Sequence, residues 1–298
     1  ISDYQIINPF PTGWLTNSIY QEVKKELGYN YLNGSPFGVR NDDFMDKYDQ
    51  SQTLRTGDYF FQALADDYVR VNFDGNLIID GWSDSPTRVI QRALVTNLNK
   101  GHHYITTAFQ ENKGIAAIFS HVVPFDSWLA YYNNKDLVGA PYKSKIIAPQ
   151  GLEKSLIEDN GTGFPIWGIN PDNFSAKYTT VKRLPAGDYI IRGKADDGIR
   201  VFVDGKLVID RFYAAGGFVE DARKITIQDN AANGLFGKKN EKDVHLIEVQ
   251  YLEEGGNSNL EFISIATAFR ILFHLTHQFS YSFPVYFDAF FFKNFYNS

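Results

Sequence analysis

Two acidic doublets, each followed by an alternating strand and an Asp-Gly pair, constrain this chain more than any other feature. Asp196-Asp197 leads through Ile199 to Val203 into Asp204-Gly205 and then Leu207 to Ile209. The same order stands 130 positions upstream, from Asp66-Asp67 through Asp74-Gly75 to Ile79. An Asp-Gly pair between two apolar runs predicts a β-hairpin with a two-residue turn. From Gly38 to Asp80 and from Gly168 to Asp210 the copies align without a gap, and 19 of 43 positions are identical. That is a duplication, so the chain is expected to build one fold twice.

Its 298 residues suit two units of about 150 each. The 25 Phe and 18 Tyr belong to β-rich surfaces more than to helical bundles. Strands are expected over 58–64, 104–109, 115–123, 188–193 and 244–251, and one helical turn over Lys24 to Leu27. A net charge of −6 with no basic cluster beyond Lys238-Lys239 argues against nucleic acid as a partner. The absence of cysteine excludes disulfides and thiolate chemistry, and it fits the cytosol as well as Gram-positive secreted proteins. The longest apolar stretch, Ile271 to Phe287, is broken by His274, His277 and Gln278, so no membrane span is expected. The start at Ile1 reads as that of a mature product or an excised fragment.

The copies divide near Pro124 to Ser127, giving units 1–125 and 126–265 with a short linker and hence a fixed mutual placement. Their openings, Gly13-Trp14-Leu15 and Ser127-Trp128-Leu129, are similar. The second copy is expected to carry extra surface loop around Asp159 to Pro165. Residues 266–298, with nine phenylalanines and one acidic residue, match neither copy and read as a docked strand or a truncated or out-of-frame end.

The doublets, the hairpins and the Gly187-Asp188-Tyr189 segment resemble the PA14 domain family. Copy two is the closer match, through Trp128 to Asn134, Asp172 to Tyr178 and Gly198, where copy one has Tyr68. The resemblance implies an all-β chain of two tandem PA14-like β-sandwiches. It also implies a non-catalytic, secreted or cell-surface module binding a glycan or cell-wall polysaccharide, with calcium held at the acidic doublet. A second expectation is a structural or targeting module of a larger cell-wall or polysaccharide hydrolase.

The hairpin register predicts where the site lies. With Asp74-Gly75 as the turn, Val69 faces Asp80 and Asp67 faces Trp82; in copy two Ile199 faces Asp210 and Asp197 faces Phe212. The open end of each hairpin then gathers three carboxylates and an aromatic ring. One reading is a hard-cation site at Asp66, Asp67, Asp196 and Asp197, with Asp67, Asp197, Trp82 and Phe212 meeting the ligand. The other is that the doublets satisfy turn amides while Asp80 and Asp210 pair with Arg70 and Arg200.

Adjacent aspartates on a strand point to opposite faces, so neither doublet alone makes a glycosidase pair. Glu111, Glu153, Glu158, Glu220, Glu248, Glu253, Glu254 and Glu261 read mostly as solvated surface, and His102-His103 and His274 with His277 as ordinary histidines. Asp197→Ala is expected to abolish calcium-dependent stabilisation and leave the metal-free fold nearly intact.

Overall fold

The computed structural model describes residues 27–36, 40–82, 89–151, 153–213, 217–232, 234–236 and 241–267. Among them the chain is all-β and has no helix. The expected opening at Gly13 to Leu15, the turn at Lys24 to Glu26 and residues 268–298 lie outside the described residues.

The first repeat supplies β1 (Gly28–Leu32), β2 (Phe44–Leu54), β3 (Gly57–Asp66), β4 (Tyr68–Phe73), β5 (Asn76–Asp80), β6 (Gln91–Leu98), β7 (Gly101–Glu111) and β8 (Ala116–Pro124). The second supplies β9 (Trp128–Asn134), β10 (Lys143–Ile147), β11 (Leu156–Gly161), β12 (Phe174–Arg183), β13 (Gly187–Asp196), β14 (Gly198–Val203), β15 (Lys206–Arg211), β16 (Val219–Ile227), β17 (Val244–Glu253) and β18 (Ser258–Ala266). Asp159 and Gly161, expected in a loop, instead pair with β18, and the insertion starts at Thr162.

Four sheets result. The first repeat makes β2-β7-β4-β5 and β1-β8-β3-β6; the second makes β10-β9-β12-β17-β14-β15 and β11-β18-β13-β16. The strand orders β2-β7-β4-β5 and β12-β17-β14-β15 correspond term by term, as do the other two sheets. Each repeat closes its two sheets over its own core. Phe61, Val71 and Phe109 fill the first, and Trp128, Tyr178, Val249 and Phe262 fill the second.

A third core joins the repeats. Phe60, Leu64, Leu94 and Phe119 from the β3-containing sheet meet Leu129, Tyr131, Val181 and Leu246 from the β12-containing sheet. The four sheets therefore stack as four layers, and the inner two are buried on both faces. Strand periodicity records this. β3 is buried at every position from Tyr59 to Asp66, whereas β13, its counterpart in an outer layer, alternates.

The same positions differ in character on the outer face of the second repeat. Phe60, Gln62, Leu64 and Phe119 of the docking face correspond to Ile190, Arg192, Lys194 and Glu261 in the second repeat. There Arg192 pairs with Glu220 at 2.6 Å, and Lys194 pairs with Glu261 at 3.3 Å. Opposite them, Val181 and Leu246 correspond to Ser51 and the exposed Tyr104. Polar groups also lock the joint. Arg183 reaches Asp58 of the first repeat at 2.8 Å and Glu241 and Asp243 of its own at 2.6 and 2.7 Å. His121, enclosed at this joint, is pushed down to about 4 by burial and is neutral at pH 7.

Phe60 is fully buried in the joint, so Phe60→Ala should lower the unfolding free energy by about 3–5 kcal/mol. Ile190→Ala, at the half-buried counterpart, should change it by less than ~1 kcal/mol, with chemical denaturation as the measurement.

Candidate functional site

Each doublet closes the strand before the hairpin, and both internal peptide bonds, Asp66–Asp67 and Asp196–Asp197, are cis. Asp74-Gly75 and Asp204-Gly205 have positive φ at both turn residues (47° and 78°, 49° and 76°), the conformation of a type I′ turn. A histidine one strand away pins each turn. His103 Nδ1 donates to Asp74 Oδ2 at 2.7 Å, and His245 Nδ1 makes the same bond to Asp204. His103 was expected to be an ordinary loop residue. Its Nε2 also donates, to Asn99 O, so the ring is satisfied as the imidazolium and its pKa is raised, chiefly by the Asp74 hydrogen bond.

The hairpin register differs from expectation by one residue. Arg70 faces Asp80 and Ile199 faces Arg211, because Ile78 and its counterpart Val208 are inserted as bulges. A one-residue slip exchanges the faces of a strand. Asp80 is thereby set beside Arg70 at 2.7 Å and Asp210 beside Arg200 at 3.1 Å, so both leave the doublets.

The aromatics are corrected as well. Trp82 lies under the Arg70 guanidinium, 5.1 Å from its ring centre, and beside Tyr68 at 6.3 Å. Phe212 is only 1% exposed and cannot offer a face to a ligand; the neighbouring Tyr213 stays exposed, edge-on to it at 5.0 Å. Gly198 is required here, since a Cβ on it would sit 2.3 Å from Phe212 O.

The second aspartate of each doublet is a clamp. Asp67 Oδ2 accepts Asn112 N–H at 2.8 Å. Asp197 Oδ2 accepts Glu254 N–H at 2.6 Å and Gly255 N–H at 3.3 Å, while Oδ1 accepts Gly217 N–H at 2.9 Å. Removing that carboxylate takes the acceptor from three amides, those of the exposed Glu254 and Gly255 and the half-buried Gly217, each of which can turn in part to water. Asp197→Ala is therefore expected to cost the metal-free fold some stability in a thermal melt, and Asp197→Asn less.

Asp196 is half-buried. Among the described residues no donor meets its carboxylate, and burial together with Asp197 raises its pKa. Behind it stands a residue that the sequence reading placed at the surface. Glu253 is 0% exposed, and its Oε1 has no hydrogen-bond partner among the described residues. Tyr251 Oη lies 2.7 Å from Glu253 Oε2 and also contacts Asp196 O. Burial first, then Asp197 and Asp196, push Glu253 up to about 7.

Glu111, also fully buried, occupies the matching place beside Asp66-Asp67. Strand alternation carried the signal for both. Glu253 shares a face with the core residues Val249 and Tyr251, and Glu111 shares one with Phe109.

The donor set of hard oxygens under mutual repulsion suits a divalent cation. Among the described residues no three Asp, Glu or His side chains converge into a complete cage. Ala214 to Gly216, next in sequence to Tyr213, lie outside the described residues.

A β-sandwich with a clamped acidic doublet defines the second repeat. Residues 128–268 match the family model described as the PA14 domain. No curated protein matches the chain. Among solved structures, an anti-sigma factor domain-containing protein from Clostridium clariflavum is 19% identical, covering 85% of this chain and 91% of that one, with a TM-score of 0.37. A β-glucosidase from Kluyveromyces marxianus in complex with glucose is 16% identical over 47% of this chain and 15% of its own, at 0.30. A lectin from Pleurotus ostreatus in complex with GalNAc is 13% identical over 82% and 80%, at 0.26. At such scores the superpositions are loose, and none of the three carries a functional argument.

A carboxyl whose pKa is raised in the fold stabilises it while protonated, below the unfolded value of 4.5, and loses that contribution as pH rises through about 7. In the absence of divalent cations, Glu253→Gln should flatten the fall in melting temperature between pH 5 and 8 by removing this group's titration. An unchanged pH slope in a thermal melt would contradict the assignment.

Proposed function

We propose that the chain is a non-catalytic carbohydrate-binding module of a secreted or cell-surface bacterial protein, serving adhesion to a glycan or cell-wall polysaccharide. It comprises two PA14 units, 1–125 and 126–265, each with a calcium site at its acidic doublet. The observation that carries this reading is the half-buried Asp196, whose carboxylate has no donor among the described residues, beside the buried Glu253. Such a cluster of negative charge is relieved by a hard cation, which in turn can take hydroxyl oxygens as ligands.

Asp196 would face the cation, Asp197 would hold the surrounding loops, and Glu253 would supply negative charge from behind. Calcium, when bound, would supply an electropositive centre for vicinal hydroxyls. The second repeat is the stronger site. In the first, Asp66 is buried and Trp82 is covered by Arg70.

The reading predicts calcium uptake by calorimetry and, at calcium a hundred times its dissociation constant, a stabilisation of about 2.7 kcal/mol. Asp196→Asn should remove most of this uptake, and a glycan array read with and without chelator should lose its signal with chelator. A chain that takes up no calcium and binds no glycan would end the proposal.

A further inference from the structure

The insertion of the second repeat presents two aromatic rings to solvent. Trp167 is 81% exposed and Phe164 51%, with ring centres 6.0 Å apart and planes at 80°. Their neighbours in sequence point the other way. Pro165 and Ile169 are buried, and Ile166 packs against the core of the second repeat. Lys145 Nζ donates to Pro165 O at 3.1 Å, and Ile169 N–H donates to Ile166 O at 3.1 Å. Gly168 holds a φ of +92°, which lets the chain turn back beneath the indole. The rings are thus mounted on a fixed support, and fixed aromatic area binds at little cost in conformational entropy.

The loop is also tied to the doublet. Asp172 Oδ1 accepts Gly256 N–H at 3.2 Å, and the two preceding amides, Glu254 and Gly255, are those held by Asp197. Both features therefore lie at one end of the sandwich. Trp167 stands at the β10 margin, where a Cβ on Gly168 would lie 3.1 Å from Lys143, and Asp197 stands at β17. The strand order β10-β9-β12-β17 separates them by three strand spacings, about 14 Å. One sugar ring cannot bridge that span, and an oligosaccharide can.

We infer that Phe164 and Trp167 form a second saccharide subsite, which stacks a pyranose ring of an oligosaccharide whose hydroxyls are held at the doublet. This rests on the glycan-binding reading above. Two rings at 80° make a corner, which grips a single ring from its face and its edge; a row of coplanar rings would instead track a flat polysaccharide surface. Rings joined by equatorial β-linkages present an apolar C–H face suited to the indole.

The test uses the full chain with calcium and the soluble probes cellohexaose and chitohexaose, read by calorimetry and by tryptophan fluorescence. Trp167→Ala should weaken binding of whichever probe binds by at least tenfold and Phe164→Ala several-fold, whereas Trp167→Phe should keep most of the affinity. Calcium uptake should be unchanged in all three variants. Binding by Trp167→Ala within twofold of the parent overturns the subsite, even if a chelator still abolishes binding and so upholds the doublet.

Loss of binding in Trp167→Ala with no effect of chelator upholds the subsite and removes the calcium reading. Failure of the parent chain to bind either probe at millimolar concentration overturns the subsite, and calcium uptake then stands or falls separately. A sedimentation shift in Trp167→Ala from dimer to monomer would assign the rings to a second copy of the chain and overturn the proposal.

Discussion

The Asp197 carboxylate accepts three backbone amides from two separate stretches of chain, and the geometry of that end of the second sandwich depends on it. It fixes where β17 leaves the sheet and, through Gly256 and Asp172, where the aromatic loop ends. Its neighbour Asp196 has no donor of its own among the described residues, so one peptide unit separates a carboxylate that holds backbone amides from one that holds none.

Much of the fold was legible in the sequence. The duplication, the hairpins and the Asp-Gly turns rest on local chemistry that a turn cannot do without, namely two consecutive residues with positive φ. The five expected strands all form, four of them longer than expected and the fifth, β8, shifted by one residue. Misreadings came where a single residue changes parity. Ile78 and Val208 carry no mark of a bulge, yet each moves the following aspartate from the doublet to an arginine.

The site was half legible for a different reason. Residue type suggested solvent for Glu111 and Glu253, although their phase with Phe109 and Tyr251 placed them inward. Phase and polarity disagreed, and polarity was given the greater weight. Phe212 failed in the opposite sense, since nothing in its neighbourhood foretold that Gly198 would let its backbone approach so closely and draw the ring inside. Trp167 was invisible because exposure is a property of the folded loop and leaves no period in the sequence.

The contact between the two repeats joins unlike faces, the β3-containing sheet of one against the β12-containing sheet of the next. A contact of this kind has no inherent end, because every added module presents the same free face as the last. In the second repeat the equivalent face carries Ile190, Arg192, Lys194 and Glu261, and the hydration of its paired charges disfavours a further contact of the same kind. Whether such a face propagates is thus set by a few side chains on one sheet, and apolar substitutions there would turn a solvated surface into one able to extend a fibre.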